Sequence, residues 1–400
     1  MQQQHHHVVA LLLLLLITPC LAGAQKKELS QAQAYIKSGK DLDKAEKLMT
    51  DLLSKNAENR ANKKIHLTLC EAVGKQYEQA NERLYLKQKQ DTAAFFALVR
   101  KMFLLFETLD SVDMQPDKNG RVNIEYRAYH AARLMPLRSN LYNGGIYFVR
   151  HNDLRQALGY FETYIDCQRQ PLFTGNDFLH SDPRMVEAAY WSTYCGYRLS
   201  DPVITLRHRT LALRDSAKAP YTLMYVAEAR RWLSDNELYL ATLETGFSRF
   251  PTSLYFFTRL MDEYNSRQRY DKALEIADTA LAADSTSMLF LYAKSTALLS
   301  LQRYEESIAI SDRLISLCDT LAAPYMNAGT AYINIAMNLH PRKDKKRMRS
   351  TYQKARTYVE RYRQLAPDDK QKWAPALYRI YLNLNMGRQF DEIDRLLNNQ

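Results

Sequence analysis

Outside the first 24 residues the histidines stand singly, at His66, His130, His151, His180, His208 and His340. A zinc hydrolase needs two of them a helical turn apart with a carboxylate beside them, and neither that spacing nor an HExxH occurs. Cys70, Cys167, Cys195 and Cys318 are as dispersed, with no CxxC. They read as small buried thiols, although Cys167 and Cys195 are open to pairing in an oxidising compartment. The run Gln115-Pro116-Asp117-Lys118-Asn119-Gly120-Arg121-Val122 imitates part of a calcium loop. Gln115 and Tyr126 stand where its first and last acidic ligands belong, so an Asn-Gly turn is expected instead. There is no P-loop, no GxSxG and no dinucleotide fingerprint. No catalytic residue, metal site or cofactor is therefore expected, and the chain does not read as an enzyme. What it holds in abundance is tyrosine, 27 against 14 phenylalanines. A phenol is broad and stiff with one hydroxyl that must be wet or bonded, which suits gripping a partner rather than breaking a bond.

The elements that must carry these side chains are helices. Gly and Pro, 12 of each in 400 residues, are about half as frequent as usual, which argues against a sandwich or barrel. Apolar residues at 46% and charged residues at 25% describe a globular chain. Residues 1–24 hold no Lys, Arg, Asp or Glu, contain the ten-residue apolar run Val8 to Ile17, and end in Ala22-Gly23-Ala24. That is the pattern of a removable export signal cut before Gln25, although His5, His6 and His7 replace the usual basic residues. Pro19 argues against lipid anchoring at Cys20. The periplasm or cell envelope is the expected compartment. The most apolar later stretch, Ala93 to Phe106, contains Arg100 and Lys101, so no transmembrane segment is expected.

The net charge of +11 then belongs to an exported chain. It fits an acidic protein partner or an anionic envelope surface, and no nucleic acid is expected. The densest basic run is Arg342, Lys343, Lys345, Lys346, Arg347 and Arg349, relieved by Asp344 alone. It reads as a solvated loop entering a helix, or as a docking patch.

A fixed period organises the rest. In Tyr270-Asp271-Lys272-Ala273-Leu274-Glu275-Ile276-Ala277-Asp278-Thr279-Ala280-Leu281 the alanines line one helical face, and Phe257, Leu260, Met261 and Tyr264 form the stripe of the helix before it. Counterparts of Ala273 are Ala157, Thr205, Tyr239, Ser307 and Ala355, separated along the chain by 48, 34, 34, 34 and 48 residues. Pro251 and Pro367, Phe257, Tyr325 and Trp373, and Gly145 and Gly329 recur at matching positions, and Ala45 marks an earlier copy. This resembles the tetratricopeptide (TPR) repeat, a 34-residue helical hairpin, as found in exported bacterial TPR proteins. The resemblance implies an all-α solenoid of αα-hairpins wound as a right-handed superhelix. The expected division is a signal over 1–24, a TPR-like and irregular helical section over 25–137, and a solenoid over 138–400. Within 25–137, long helices are expected near 61–88, 91–112 and 124–135. Within the solenoid the two longer intervals are placed as insertions at 171–185, a surface loop, and 336–350, with a capping hairpin from Trp373 to Leu397.

The same resemblance implies a concave groove lined by five positions of each first helix. Carried over, these are Tyr142, Ile146 and Arg150, then Glu187, Tyr190, Tyr194, Tyr197 and Arg198. The next copies supply Tyr221, Met224, Glu228 and Arg231, then Tyr255, Asp262 and Asn265, then Tyr292. The Lys and Asn with which some TPR proteins clamp a partner's terminal carboxylate are missing. The implied function is a non-catalytic scaffold binding a protein partner along this tyrosine groove. The alternative is a glycan- or small-ligand-binding envelope protein that uses the same rings.

Overall fold

The helix ends share one recurring backbone device. Asn152, Ser200, Ser234, Gln268 and Gln302 all take positive φ, from 56° to 62°. Their spacings of 48, 34, 34 and 34 repeat those of the small residues. At Asn152 the N–H donates to the Val149 carbonyl at 3.0 Å, and the next N–H, of Asp153, reaches back to Phe148 at 2.9 Å. The same two bonds recur at Gln268, to Asn265 and Tyr264, and at Gln302, to Leu299 and Leu298. These closures satisfy carbonyls that a helix end leaves open, and at Asn152, Ser200, Gln268 and Gln302 the left-handed residue reverses the chain within its unit. Asp153, Asp201 and Asp235 then cap the following helices by accepting the N–H of Gln156, Ile204 and Leu238.

The computed structural model describes residues 25–117 and 119–398. The expected signal and Cys20 lie outside them. Two compact units meet in sequence at Leu233 and Ser234. The first holds α1 (25–38), α2 (Leu42–Lys55), α3 (Ala57–Arg60), α4 (Lys63–Tyr85), α5 (Thr92–Asp113), α6 (Arg127–Leu134), α7 (Arg138–Arg150), α8 (Leu154–Asp166), α9 (Phe178–Ser181), α10 (Arg184–Arg198), α11 (Pro202–Arg207), α12 (Arg209–Ala212) and α13 (Ala219–Trp232). The second holds α14 (Asn236–Arg249), α15 (Leu254–Ser266), α16 (Tyr270–Ala283), α17 (Met288–Ser300), α18 (Tyr304–Leu317), α19 (Ala322–Met337), α20 (Lys345–Leu365), α21 (Lys370–Leu384) and α22 (Gly387–Asn398), each packed on the next. No strand occurs among the described residues, and the fold class is all-α helical hairpins.

The compact units differ from the division expected at 137/138. In the first unit α5 packs on α4 and also on α7 and α8, because its apolar side chains exceed one face: Val99, Met102, Phe103 and Phe106 are all fully buried. The two cations inside this apolar stretch bind neighbouring helices. Arg100 donates from Nε to the Gly159 carbonyl of α8 at 3.0 Å, and Lys101 pairs with Glu46 of α2 at 2.7 Å.

Small residues set the helix spacing. Ala157, Thr205, Ala273, Ser307 and Ala355 are fully buried, and the bulky Tyr239 of the same series is buried too. A Cβ on Gly145 would lie 2.5 Å from the Phe161 ring, so α7 and α8 approach as only glycine permits. Gly145→Val should cost about 1–3 kcal/mol by overpacking. A urea midpoint equal to that of the parent chain would show that the contact relaxes freely.

The first insertion departs from expectation, and the second is a loop that enters a helix. The 171–185 segment is not a solvated loop: Leu172, Phe173 and Phe178 are buried in the first core, since three apolar side chains so close together stabilise packing over exposure. Most of the 336–350 segment is helix. Met337 ends α19 and Lys345 begins α20, leaving 338–344 as the connection, as suits a lysine- and arginine-rich run of good helix formers. Around Asp117 the chain makes a local turn, with the carboxylate accepting the N–H groups of Asn119 and Arg121 and Gly120 at φ 74°.

Candidate functional site

In the first unit, α5, α7 and α10 enclose a cleft of about 880 Å³. Helical spacing determines what faces it. Tyr142, Ile146, Val149 and Arg150 follow one face of α7, and Glu187 and Trp191, four residues apart, follow one face of α10. Phe96 of α5, Tyr147 of α7 and Lys218, just before α13, complete the wall. The Tyr142 hydroxyl donates to Glu187 Oε2 at 2.5 Å and ties α7 to α10. Burial and then the adjacent Glu187 carboxylate push the Tyr142 phenol up to about 12. The Arg184 guanidinium lies 5.5 Å from the Tyr142 ring centre. Trp191 lies nearly parallel to Phe161 at 6.5 Å and edge-on to Tyr194 at 5.6 Å. Its ring is thus braced before anything binds. At the mouth, Arg150 and His151 are exposed, and half-buried Lys218 sits 5.1 Å from the Tyr190 ring centre and 3.4 Å from Asp215. The cleft has an aromatic wall, one carboxylate already engaged, and a cationic rim.

The structure gathers Tyr142, Ile146, Arg150 and Glu187 of the expected groove into this cleft and places the others elsewhere. Tyr190 is turned inward, 9% exposed, against Trp191 and Tyr225. Tyr194 is half-buried, with Arg198 5.5 Å from its ring centre. Tyr197 stacks between Tyr225 at 4.6 Å and Trp232 at 5.7 Å. Tyr221 is exposed, Met224 is half-buried, and buried Glu228 pairs with Arg231 at 2.6 Å. In the second unit, Arg259 lies over the Tyr255 ring at 4.1 Å, Asp262 is exposed, Asn265 is half-buried, and Tyr292 is 36% exposed. Arg342 and Lys343 in the connection, and Lys345, Lys346, Arg347 and Arg349 at the start of α20, are all exposed. Sequence reasoning missed Trp191, Phe96 and Lys218. Trp191 was one position from a chosen residue, whereas Phe96 lies outside the recognised repeats.

A polar cluster braces α10 from behind. Glu162 of α8 accepts from Ser192 Oγ at 2.6 Å and Arg207 Nη1 at 2.7 Å, and His208 Nε2 stands 3.1 Å from it. Burial alone would push this carboxyl up. The His208, Ser192 and Arg207 contacts outweigh it and hold the group at about 2, against an ordinary 4.5. The unfolded chain therefore takes up this proton first. The cluster's contribution is full above about pH 4.5 and is lost as pH falls toward about 2. Glu162→Gln should flatten that part of the stability–pH curve, read as unfolding midpoints in acid; an unchanged acid limb would refute the assignment.

Among the described residues no three His, Cys, Asp or Glu side chains converge to hold a metal ion. The four described cysteines are free, and burial pushes the thiols of Cys70, Cys167 and Cys195 up to about 12, opposite to what a nucleophile needs. No described helix is long and apolar enough to cross a membrane.

No family model matches the chain, and no curated protein matches it. Solved structures similar to it include the C-terminal part of a TPR repeat-containing protein from Cytophaga hutchinsonii, at 11% identity and TM-score 0.42 over 63% of this chain and 92% of that one. A tetratricopeptide repeat protein from Parabacteroides merdae matches at 14% identity and TM-score 0.38, over 53% and 79%. Yeast Tom70 matches at 12% identity and TM-score 0.34, over 91% and 89%. The architecture of this chain rests on its own helices and turns.

Proposed function

We propose that this all-α array of helical hairpins, which resembles tetratricopeptide repeats, is a non-catalytic scaffold of the cell envelope that holds a segment of a partner protein between α7 and α10. The observation that carries this reading is the cleft itself, with a braced Trp191, an aromatic wall and the rim cations Arg150 and Lys218. Large, stiff side chains held by neighbours lose little freedom on binding, which is what recognition sites select. The fitting segment inserts an aromatic or aliphatic side chain beside Trp191 and Ile146 and presents a carboxylate to Arg150. Placement in the envelope is supported by the export-type pattern of residues 1–24.

The test is a photo-crosslinking residue at position 146 of the tagged full chain, activated in cells, with the adduct mapped by mass spectrometry. One protein should be captured through one segment, and that segment, made as a peptide, should bind the purified chain in calorimetry. No adduct, or an adduct whose peptide does not bind, would overturn the proposal. Saturable binding of a polysaccharide displaced by Trp191→Ala would replace it with glycan capture.

A further inference from the structure

The last turn of α4 carries no buried side chain. From Asn81 to Lys89 nine consecutive residues are exposed. Ala80 is the last buried residue of this helix, so its final turn stands clear of the core. Three of the nine are large and apolar and adjacent: Leu84 is 39% exposed, Tyr85 85% and Leu86 54%. Adjacent exposed large apolar side chains are unusual on a soluble surface and mark contact sites. The turn is not frayed. Leu86 N–H donates to the Glu82 carbonyl at 2.9 Å, Lys87 N–H to Leu84 at 3.0 Å and Gln88 N–H to Arg83 at 2.8 Å, with Lys87 at φ 55°. This is a complete Schellman closure, but the apolar contact that usually joins its two ends is replaced by Arg83 and Gln88. The apolar side chains are thus free to point outward from a rigid turn.

Charge decides what covers them. Arg83 precedes the apolar triplet and Lys87 and Lys89 follow it, all exposed, against Glu82 within the segment and Asp91, which caps α5, just beyond it. A tip of leucine and tyrosine ringed by cations has the composition of an interfacial anchor. Leucines reach the acyl boundary, tyrosine lies at headgroup depth, and long cationic side chains extend to lipid phosphates. We propose that residues 83–89 dock the protein on an anionic lipid bilayer. The basic run at 342–349 lacks this character, since its one large apolar side chain, Met348, is half-buried.

Vesicle flotation of the purified full chain tests the proposal. Vesicles of phosphatidylglycerol and phosphatidylcholine in equal parts should carry the protein up, and phosphatidylcholine alone should not. Leu84→Ser, Tyr85→Ser and Leu86→Ser combined should weaken binding at least tenfold, since tenfold is the scale of only about two buried CH2 groups. Arg83→Gln, Lys87→Gln and Lys89→Gln combined should weaken it similarly, as each cation near an anionic surface contributes on the order of a factor of five. Both variants should keep the parental unfolding midpoint, because every substituted residue is exposed. The proposal is overturned if the parent chain does not float, if both variants float as well as it does, or if flotation is lost only when the cations of 342–349 become glutamine. A dimer in sedimentation that the serine variant abolishes, with no vesicle binding, would assign the tip to a protein contact instead and overturn it equally.

Discussion

Arg138→Ala is expected to lower the stability of the first unit by roughly 3–5 kcal/mol, the usual cost of breaking a buried ion pair from one side. Arg138 is 7% exposed. Its guanidinium is held between two rings, with the Tyr164 and Phe178 centres each 3.9 Å away. It pairs with Asp182 through Nη1, and the Tyr164 hydroxyl donates to the same carboxylate at 2.6 Å. Asp182 and Phe178 belong to the 171–185 insertion, and Arg138 and Tyr164 to the hairpin below it. The arginine is therefore the pin that fastens one to the other. Its removal leaves a partly buried carboxylate with a phenol as its remaining side-chain partner and opens the space between two rings. Arg138→Lys should recover little, because an ammonium cannot stack between rings or present the planar fork. Denaturant unfolding measures the loss, and limited proteolysis locates it by new cuts between Pro171 and Asp182. An alanine variant that unfolds at the parental midpoint with an uncut insertion would show that the pin is dispensable.

The second large effect concerns recognition. Trp191→Ala should weaken the crosslinked partner peptide by about 2–4 kcal/mol, or roughly 30- to 1,000-fold, the range of a central aromatic hot spot. The ring is braced by Phe161 and Tyr194, so little of that loss should come from reordering the free protein. Tyr190→Ala separates the two faces of α10. Tyr190 is buried against Tyr225, so its loss should lower stability first and affinity only through it. Arg150→Glu should weaken binding about tenfold at low salt and less at high salt, as a rim charge does. Equal affinities of the parent and Trp191→Ala chains would remove the cleft as the binding site.

Much of this was legible in the residues. The hairpins, their period and their turns are local: a helix needs only its own backbone bonds, and each reversal needs one residue able to take a left-handed conformation. The same 34-residue interval therefore appears in the small residues and in the turns from Ser200 to Gln302.

Tertiary packing decided the rest. On a helix one position is a rotation of about 100°, so the choice between Tyr190 and Trp191 depends on how α10 rolls against α8 and α13, and the repeat pattern alone does not set that roll. Phe96 joins the cleft because α5 is too apolar to be covered by α4 alone and reaches α7. The insertion folds down because its Asp182 meets Arg138 of α7, 44 residues away. Helices, turns and period follow from interactions a few residues long, so they could be read along the chain. The cleft between α7 and α10, the packed insertion and the boundary at Leu233 arise only in three dimensions, because each depends on surfaces that meet after the helices exist.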